Sequence, residues 1–272
     1  MDKKVFDELM NRGIVTVVGL NPDKYTDIAD LQNKQLATAI CATEEWDELT
    51  VSDEELQAFI ETVKKGGNVT LDANYTLTET LEISADTTIN LNGHTLTSKK
   101  WDEDGEDNSY VFKVTGGTLT LEGEGTIESE EAVYSMAVWA NGGNVVINGG
   151  TYKNNGDSCD LIYASKRGNI VINGGEFVAC GPASGTVPGT KNPYSTLNIK
   201  DADYKSKACS ISVKGGKFFM FDPANNLSEN PKANFVAEGY ESVQEGDWFV
   251  VREAKSEETP KVEETQIIEV GE

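Results

Sequence analysis

Two segments of this chain repeat each other at a fixed distance. Residues 145–153 read VVINGGTYK and residues 170–178 read IVINGGEFV, an offset of 25. Ile147, Asn148, Gly149, Gly150 and Tyr152 are matched by Ile172, Asn173, Gly174, Gly175 and Phe177. Stepping back 25 from Thr151 reaches Thr126, and another 31 back reaches Thr95 in NLNGHTLTS. Forward, LNIKDADYK (197–205) lies 27 beyond the second copy and ISVKGGKFF (211–219) a further 14 on. A fixed period of this size means that one structural unit is being stacked on itself.

Each unit reads strand, tight polar or glycine turn, strand, then a strand-rich return of about 15 residues. From Val69 onward the apolar residues alternate, as in VTLDANYTLTETLEI, and no convincing helix is expected up to about residue 221. A return without a helix leaves a coiling parallel β-helix, whose successive coils stack about 4.8 Å apart. Hairpins with Asn-Gly turns are the competing account. They explain neither the constant offset nor the matched apolar identities. Stacking predicts that Ile147 sits over Ile172, Tyr152 over Phe177 and Asn148 over Asn173. The glycines supply the positive φ of the bend. The 14-residue step is too short for a three-sided coil, so one of the last two copies is expected not to be a true coil. Tyr152, Phe177, Tyr204 and Phe218 recur at one repeat position, and a core stack is expected of them. Trp101, Trp139 and Trp248 share no register and suggest no carbohydrate stripe.

The rest of the chain divides around the repeat. Residues 1–50 read as a helical anchor and oligomerisation region. Val5, Phe6, Leu9 and Met10 form one stripe, and Ile14, Val15 and Val17 belong to a short apolar strand candidate at 14–20. These seven residues are the expected interface, because short elements at the start of the chain leave them without an internal partner. Residues 51–68 form a capping helix. Ser52 and Glu55 make a capping box, and Leu56, Phe59, Ile60 and Val63 follow at helical spacing. The β-helix is placed at 69–221, an antiparallel C-terminal cap around Phe235, Tyr240 and Trp248 at 222–251, and an acidic tail at 252–272.

Charge narrows the function. The chain carries 46 acidic and 23 basic residues, a net charge of −23, and the only arginines are Arg12, Arg167 and Arg252. Such a chain repels nucleic acid and anionic membrane surfaces. A single histidine, His94, excludes multi-histidine metal sites. The opening MDKKVFDELMNRG is charged rather than signal-like. Cys41, Cys159, Cys180 and Cys209 lack metal spacing and are expected to be reduced and mostly buried; a bridge between Cys180 and either Cys159 or Cys209 is conceivable only if those segments stack.

Two stretches resemble known families. GGNVTLDANYTLTETLEISADTTINLNGHTLTS looks like the first coil of pectate-lyase-like right-handed β-helices. The ending GGKFFMFDP…FVAEGYESVQEGDWFVV is similar to the closure of many such repeat proteins from gut bacteria and their phages. VFDELMNRGIVTVVGLNPDKY, followed by the capped helix, resembles head-fibre or decoration proteins of tailed phages, crAss-like phages included. The resemblance implies a mainly β protein, a right-handed parallel β-helix with a helical start and a short antiparallel cap. It also implies a structural virion protein made in the host cytoplasm, a homotrimer contacting capsid or other virion proteins, with a host-surface glycan as a further partner. The alternative is a polysaccharide-binding or polysaccharide-degrading β-helix. For catalysis the best constellation is Asp157, Asp160, Lys166 and Arg167, in the returns of two adjacent coils, but no motif places them on one strand face. The run Asp102-Glu103-Asp104-Gly105-Glu106-Asp107 offers carboxylates to a cation, yet it fails the EF-hand pattern and is expected to be a solvated loop. No catalytic, metal or cofactor-binding residue is assigned.

Overall fold

The computed structural model describes residues 51–99, 101–103, 106–130, 132, 134–154, 160–179, 196–226, 228 and 232–255, with 101–103, 106 and 107 described by their backbone. The seven interface residues expected between Val5 and Val17 lie outside this set, as do Cys41, Asp157, Cys159 and Cys180.

The chain winds through three sheets in turn. Sheet A holds β1 (Gly67–Thr70), β4 (Thr87–Asn90), β8 (Thr118–Glu122), β11 (Asn144–Ile147), β14 (Asn169–Ile172) and β17 (Ser210–Val213), each parallel to the next. Sheet B begins with β2 (Tyr75–Leu77), β5 (Thr95–Ser98), β9 (Thr126–Ser129), β12 (Thr151–Asn154), β15 (Glu176–Val178) and β18 (Gly216–Phe219). Sheet C runs through β3 (Leu81–Ile83), β7 (Glu106–Val114), β10 (Tyr134–Asn141), β13 (Ile162–Ser165) and β16 (Leu197–Ile199). Each of five coils contributes one strand to all three sheets, and a sixth adds β17 and β18 to sheets A and B, which makes this a three-sided parallel β-helix.

Stacking follows the repeat offset. Ile147 pairs with Ile172, Tyr152 with Phe177, and Thr151 with Thr126, which in turn pairs with Thr95. One buried row of sheet A runs Val69, Ile89, Leu121, Ile147, Ile172 and Val213. The matching row of sheet B runs Tyr75, Leu96, Ile127, Tyr152, Phe177 and Phe218. Its last three rings lie nearly parallel, with centroids 5.0 and 4.7 Å apart. The phenol of Tyr152 is buried, which pushes its pKa up, and it donates to the Gly149 carbonyl at 2.9 Å. At the corner between sheets A and B, Asn173 Nδ2 donates to Asn148 Oδ1 at 2.8 Å. The bend there needs Gly150 at φ +86° and Gly175 at φ +111°, a region that side chains with a Cβ avoid.

The structure shows which of the last two copies is not a true coil, as expected of one of them, and corrects other expectations. LNIKDADYK is not a copy of the repeat: its strand β16 belongs to sheet C and pairs with β13, while ISVKGGKFF carries the next strand of sheet A. Any core strand shows the same apolar alternation, so LNIK was legible as a strand but not as to its sheet. Tyr204 is not in the aromatic stack; it lies in a five-residue helix, α2 (Asp201–Lys205; α1 is described below), where no helix was expected. The acidic run at 102–107 is not a simple loop. β6 (Trp101–Glu103) pairs antiparallel with β7, Asp102 opposite Asp107 and Glu103 opposite Glu106.

Both ends of the coil stack are covered. At the first coil lies α1 (Asp53–Lys65), begun by the Ser52–Glu55 capping box: Glu55 N donates to Ser52 Oγ at 3.3 Å and Ser52 N to Glu55 Oε2 at 2.9 Å. The Ser52 backbone donor holds the Glu55 carboxyl below its ordinary pKa. Phe59, Ile60 and Val63 are buried against the coil, and Phe59 stacks on Tyr75 at 4.1 Å. At the last coil, β20 (Trp248–Glu253) pairs antiparallel with β18, and β19 (Tyr240–Glu245) with β20. The segment around Phe235 is not a third antiparallel strand. It runs parallel to β17 through the Val213–Val236 bridge and buries Phe221, Ala233 and Phe235 over the open end.

Candidate functional site

Side chains alternate in and out along every strand, so each sheet also presents an outer row. The outer row of sheet A is Asn68, Thr88, Thr120, Val146, Val171 and Ser212. One outer row of sheet B is Thr95, Thr126, Thr151, Glu176 and Lys217. These are small, β-branched or charged residues, as expected of a solvated pleat. Sheet C differs. Its outer row is Glu82, Lys113, Trp139, Tyr163 and Asn198. Tyr110, on β7, packs edge-on against Trp139 with centroids 5.6 Å apart, and Trp139 and Tyr163 are 6.2 Å apart at a 44° tilt. The three rings are half-buried, and Tyr134 beside them is exposed.

The rings are held in place by their polar ends. Trp139 Nε1 donates to Ser165 Oγ at 2.9 Å, and that hydroxyl donates onward to Asn141 Oδ1 at 3.2 Å. The Tyr110 hydroxyl donates to Asn108 Oδ1. The Lys113 ammonium lies over the Trp139 ring, 5.2 Å from its centroid, a favourable cation–π arrangement. At the other end of the row Asn198 Nδ2 donates to Asp160 Oδ1 at 2.9 Å. Burial pushes the Asp160 carboxyl up to about 6, against the lowering effect of that hydrogen bond. Among the described residues, the buried Asn198 Oδ1 and the neighbouring Thr196 Oγ1 have no hydrogen-bond partner.

The longest connection between two sheets joins sheet B to sheet C. Turns from sheet A to sheet B occupy 71–74, 91–94, 123–125, 148–150, 173–175 and 214–215. Connections from sheet B to sheet C occupy 78–80, 99–105, 130–133, 155–161 and 179–196. Insertions therefore accumulate at the B-to-C corner, and in repeat folds such insertions gather on one face.

The residues weighed for catalysis do not assemble among the described residues. Asp160 precedes β13, while Lys166 and Arg167 follow it, at φ +52° and +73° in the turn to sheet A. A strand rises ~3.3 Å per residue, so the two groups are separated by the length of β13, roughly 20 Å along the strand. The Lys166 amide donates to Asp203 Oδ2 at 2.8 Å. Cys209 is a free, buried thiol whose pKa is raised by desolvation. No group of three or more His, Cys, Asp or Glu side chains suited to a metal occurs among the described residues. None of their helices is long and apolar enough to cross a membrane.

Trp139 and Trp248 lie in different sheets, in keeping with the lack of a shared register among the tryptophans. The ring partners of Trp139 are tyrosines. The signal was present: Lys113, Trp139 and Tyr163 lie 26 and 24 positions apart, close to the offset of the repeat itself. Comparison with protein-family models, with curated proteins and with solved structures finds no match.

Proposed function

We propose that this chain is a non-catalytic display protein of a tailed-phage virion, a head fibre or capsid decoration. Residues 1–50 attach it and join sister chains, as a homotrimer, and the β-helix projects. The observation that carries this reading is the covering of both ends of the coil stack. α1 closes the first coil, and the segment around Phe235 with the β19–β20 hairpin closes the last. A solenoid with covered ends does not polymerise through its edges. Between β1 and β17 it spans five strand spacings, or ~24 Å, the dimension of a knob. A lyase centre built from Asp160 with Lys166 or Arg167 is disfavoured by their placement at opposite ends of β13.

Deletion of residues 1–50 tests the assignment. The shortened chain is expected to keep the β-rich circular-dichroism spectrum and the cooperative melting of the full chain, to sediment as a monomer where the full chain sediments as a trimer, and to be missing from particles. A shortened chain that still trimerises, still joins particles or loses its fold refutes the role given to residues 1–50.

A further inference from the structure

We infer that the acidic segment 256–272 docks in cis on a basic corner between sheets C and A, formed by Lys166, Arg167, Lys200 and Lys207. The inference rests on this corner and this segment alone and holds whether or not residues 1–50 attach to a particle.

The first observation is where the cations gather. The turns from sheet C to sheet A occupy 84–86, 115–117, 142–143, 166–168 and 200–209. The first three read SAD, TGG and GG, without a cation. The last two, KRG and KDADYKSKAC, carry five cations against Asp201 and Asp203. These two turns lie side by side, because β13 pairs with β16 and β14 with β17. The Lys166 amide joins them by donating to Asp203 Oδ2 at 2.8 Å. A local positive excess therefore stands on a chain whose net charge is −23. The second observation is that this charge is unmet. Lys205 reaches Asp201 at 3.6 Å. Lys166, Arg167, Lys200 and Lys207 are exposed and enter no ion pair among the described residues.

Charge and reach select the occupant. Residues 256–272 carry six glutamates and one lysine. β20 ends at Glu253, two residues past Val251, which pairs with Gly216 at the start of β18. The chain therefore leaves the cap at the A-to-B corner. From there the basic corner is one sheet width away, since the four residues of β17 cross sheet A in ~13 Å. Extended, residues 256–264 span ~30 Å, so Glu263 and Glu264 reach the cations with slack. The route over sheet A meets no carboxylate on the last two coils, whose outward residues are Asn169, Val171, Ser210 and Ser212. One exposed ion pair is weak. Several carboxylates on a tether act together, because the tether holds them at a local concentration on the order of millimolar. A free polyanion has no tether and approaches against the repulsion of the remaining charge.

The test uses the full chain beside a full-length variant carrying Glu257→Gln, Glu258→Gln, Glu263→Gln, Glu264→Gln and Glu269→Gln. These changes leave the β-helix untouched, so the two melting curves should coincide. Lysine acetylation, read by mass spectrometry, reports how open each amine is. At low salt Lys166, Lys200 and Lys207 should react about threefold more slowly in the parent than in the variant. The difference should vanish near ~1 M salt, where the screening length falls to about 3 Å. Lys64 and Lys65, on α1, should react alike in both. A carbodiimide, which joins carboxylates to amines in contact, should link Glu263 or Glu264 to the corner lysines. With isotopically light and heavy chains unfolded and refolded together, those links should stay within one chain. The inference is overturned if the corner lysines react alike in parent and variant, or if the segment links to lysines elsewhere instead. Links between light and heavy chains overturn it too, because the contact is then between copies. So does soluble heparin that shields the corner equally in parent and variant, since the corner is then open to an external polyanion.

Discussion

This β-helix uses aromatic rows twice, in opposite ways. Inside, Tyr152, Phe177 and Phe218 stack within 10° of parallel. Outside, Tyr110, Trp139 and Tyr163 meet at 67° and 44°. The interior geometry is imposed by register. Three identical backbone positions one strand spacing apart, in a closed core, leave each ring one low-energy orientation over its neighbour. The outer row obeys the same register but no core wall confines it. Its orientations come instead from individual hydrogen bonds to Ser165 and Asn108. Inner aromatics thus serve the stack, whereas outer ones have to be held by polar partners.

The largest test of this contrast lies inside. Ile147→Asp puts a carboxylate into the row between Leu121 and Ile172, both apolar and fully buried. A buried unpaired charge costs several kcal/mol, enough to abolish the cooperative melt. A folded Ile147→Asp variant with near-normal stability would falsify the closed-core reading.

Asp160 marks the boundary between the two regimes, and pH reads it. Its folded pKa of about 6 lies above the unfolded value. The folded state therefore holds this proton more tightly, and its contribution is fully favourable below about pH 4. That contribution is lost as pH rises from about 4 to 6, then stays lost. Asp160→Asn removes this dependence. The difference in unfolding free energy between variant and parent should grow over that interval, by at most about 3 kcal/mol, in urea titrations at pH 4, 5, 6 and 7. A flat difference shows that the carboxyl is solvated.

The smallest effect belongs to the outer row. Trp139→Ala removes a half-buried ring and one hydrogen bond, and Ser165 keeps Asn141 as a partner. A loss of about 1–2 kcal/mol is expected, well below that of Ile147→Asp. A larger loss means that the outer row is part of the structural core.

Legibility in the sequence divides along the same line. The stacked pairs Ile147–Ile172, Tyr152–Phe177 and Asn148–Asn173 were all readable, because core volume and corner geometry demand the same residue types at each coil. The capping box of α1 was readable for a local reason: Ser52 and Glu55 must be three apart to satisfy each other. The sheet of LNIK was not, since burial writes one alternating pattern for every strand of the core. Nor was α2, too short to show a helical period. The outer row of sheet C escaped because outward positions are free of packing constraint, so neighbours in space share no residue type. Only the offset links Lys113, Trp139 and Tyr163, and offsets are informative once the sheets are known.

The unequal coils have an engineering consequence. Phe177 and Phe218 are paired across 41 positions where Tyr152 and Phe177 are paired across 25, yet both pairs stack alike. Closing the longer loop adds only about 0.4 kcal/mol of chain entropy. The B-to-C corner can therefore accept grafted peptides of a dozen residues or more with little change in melting temperature, whereas the A-to-B corner, where an added Cβ on Gly175 would come within 3.1 Å of the Gly150 carbonyl, has no such latitude. Foreign epitopes inserted between β15 and β16 would be carried on a rigid support.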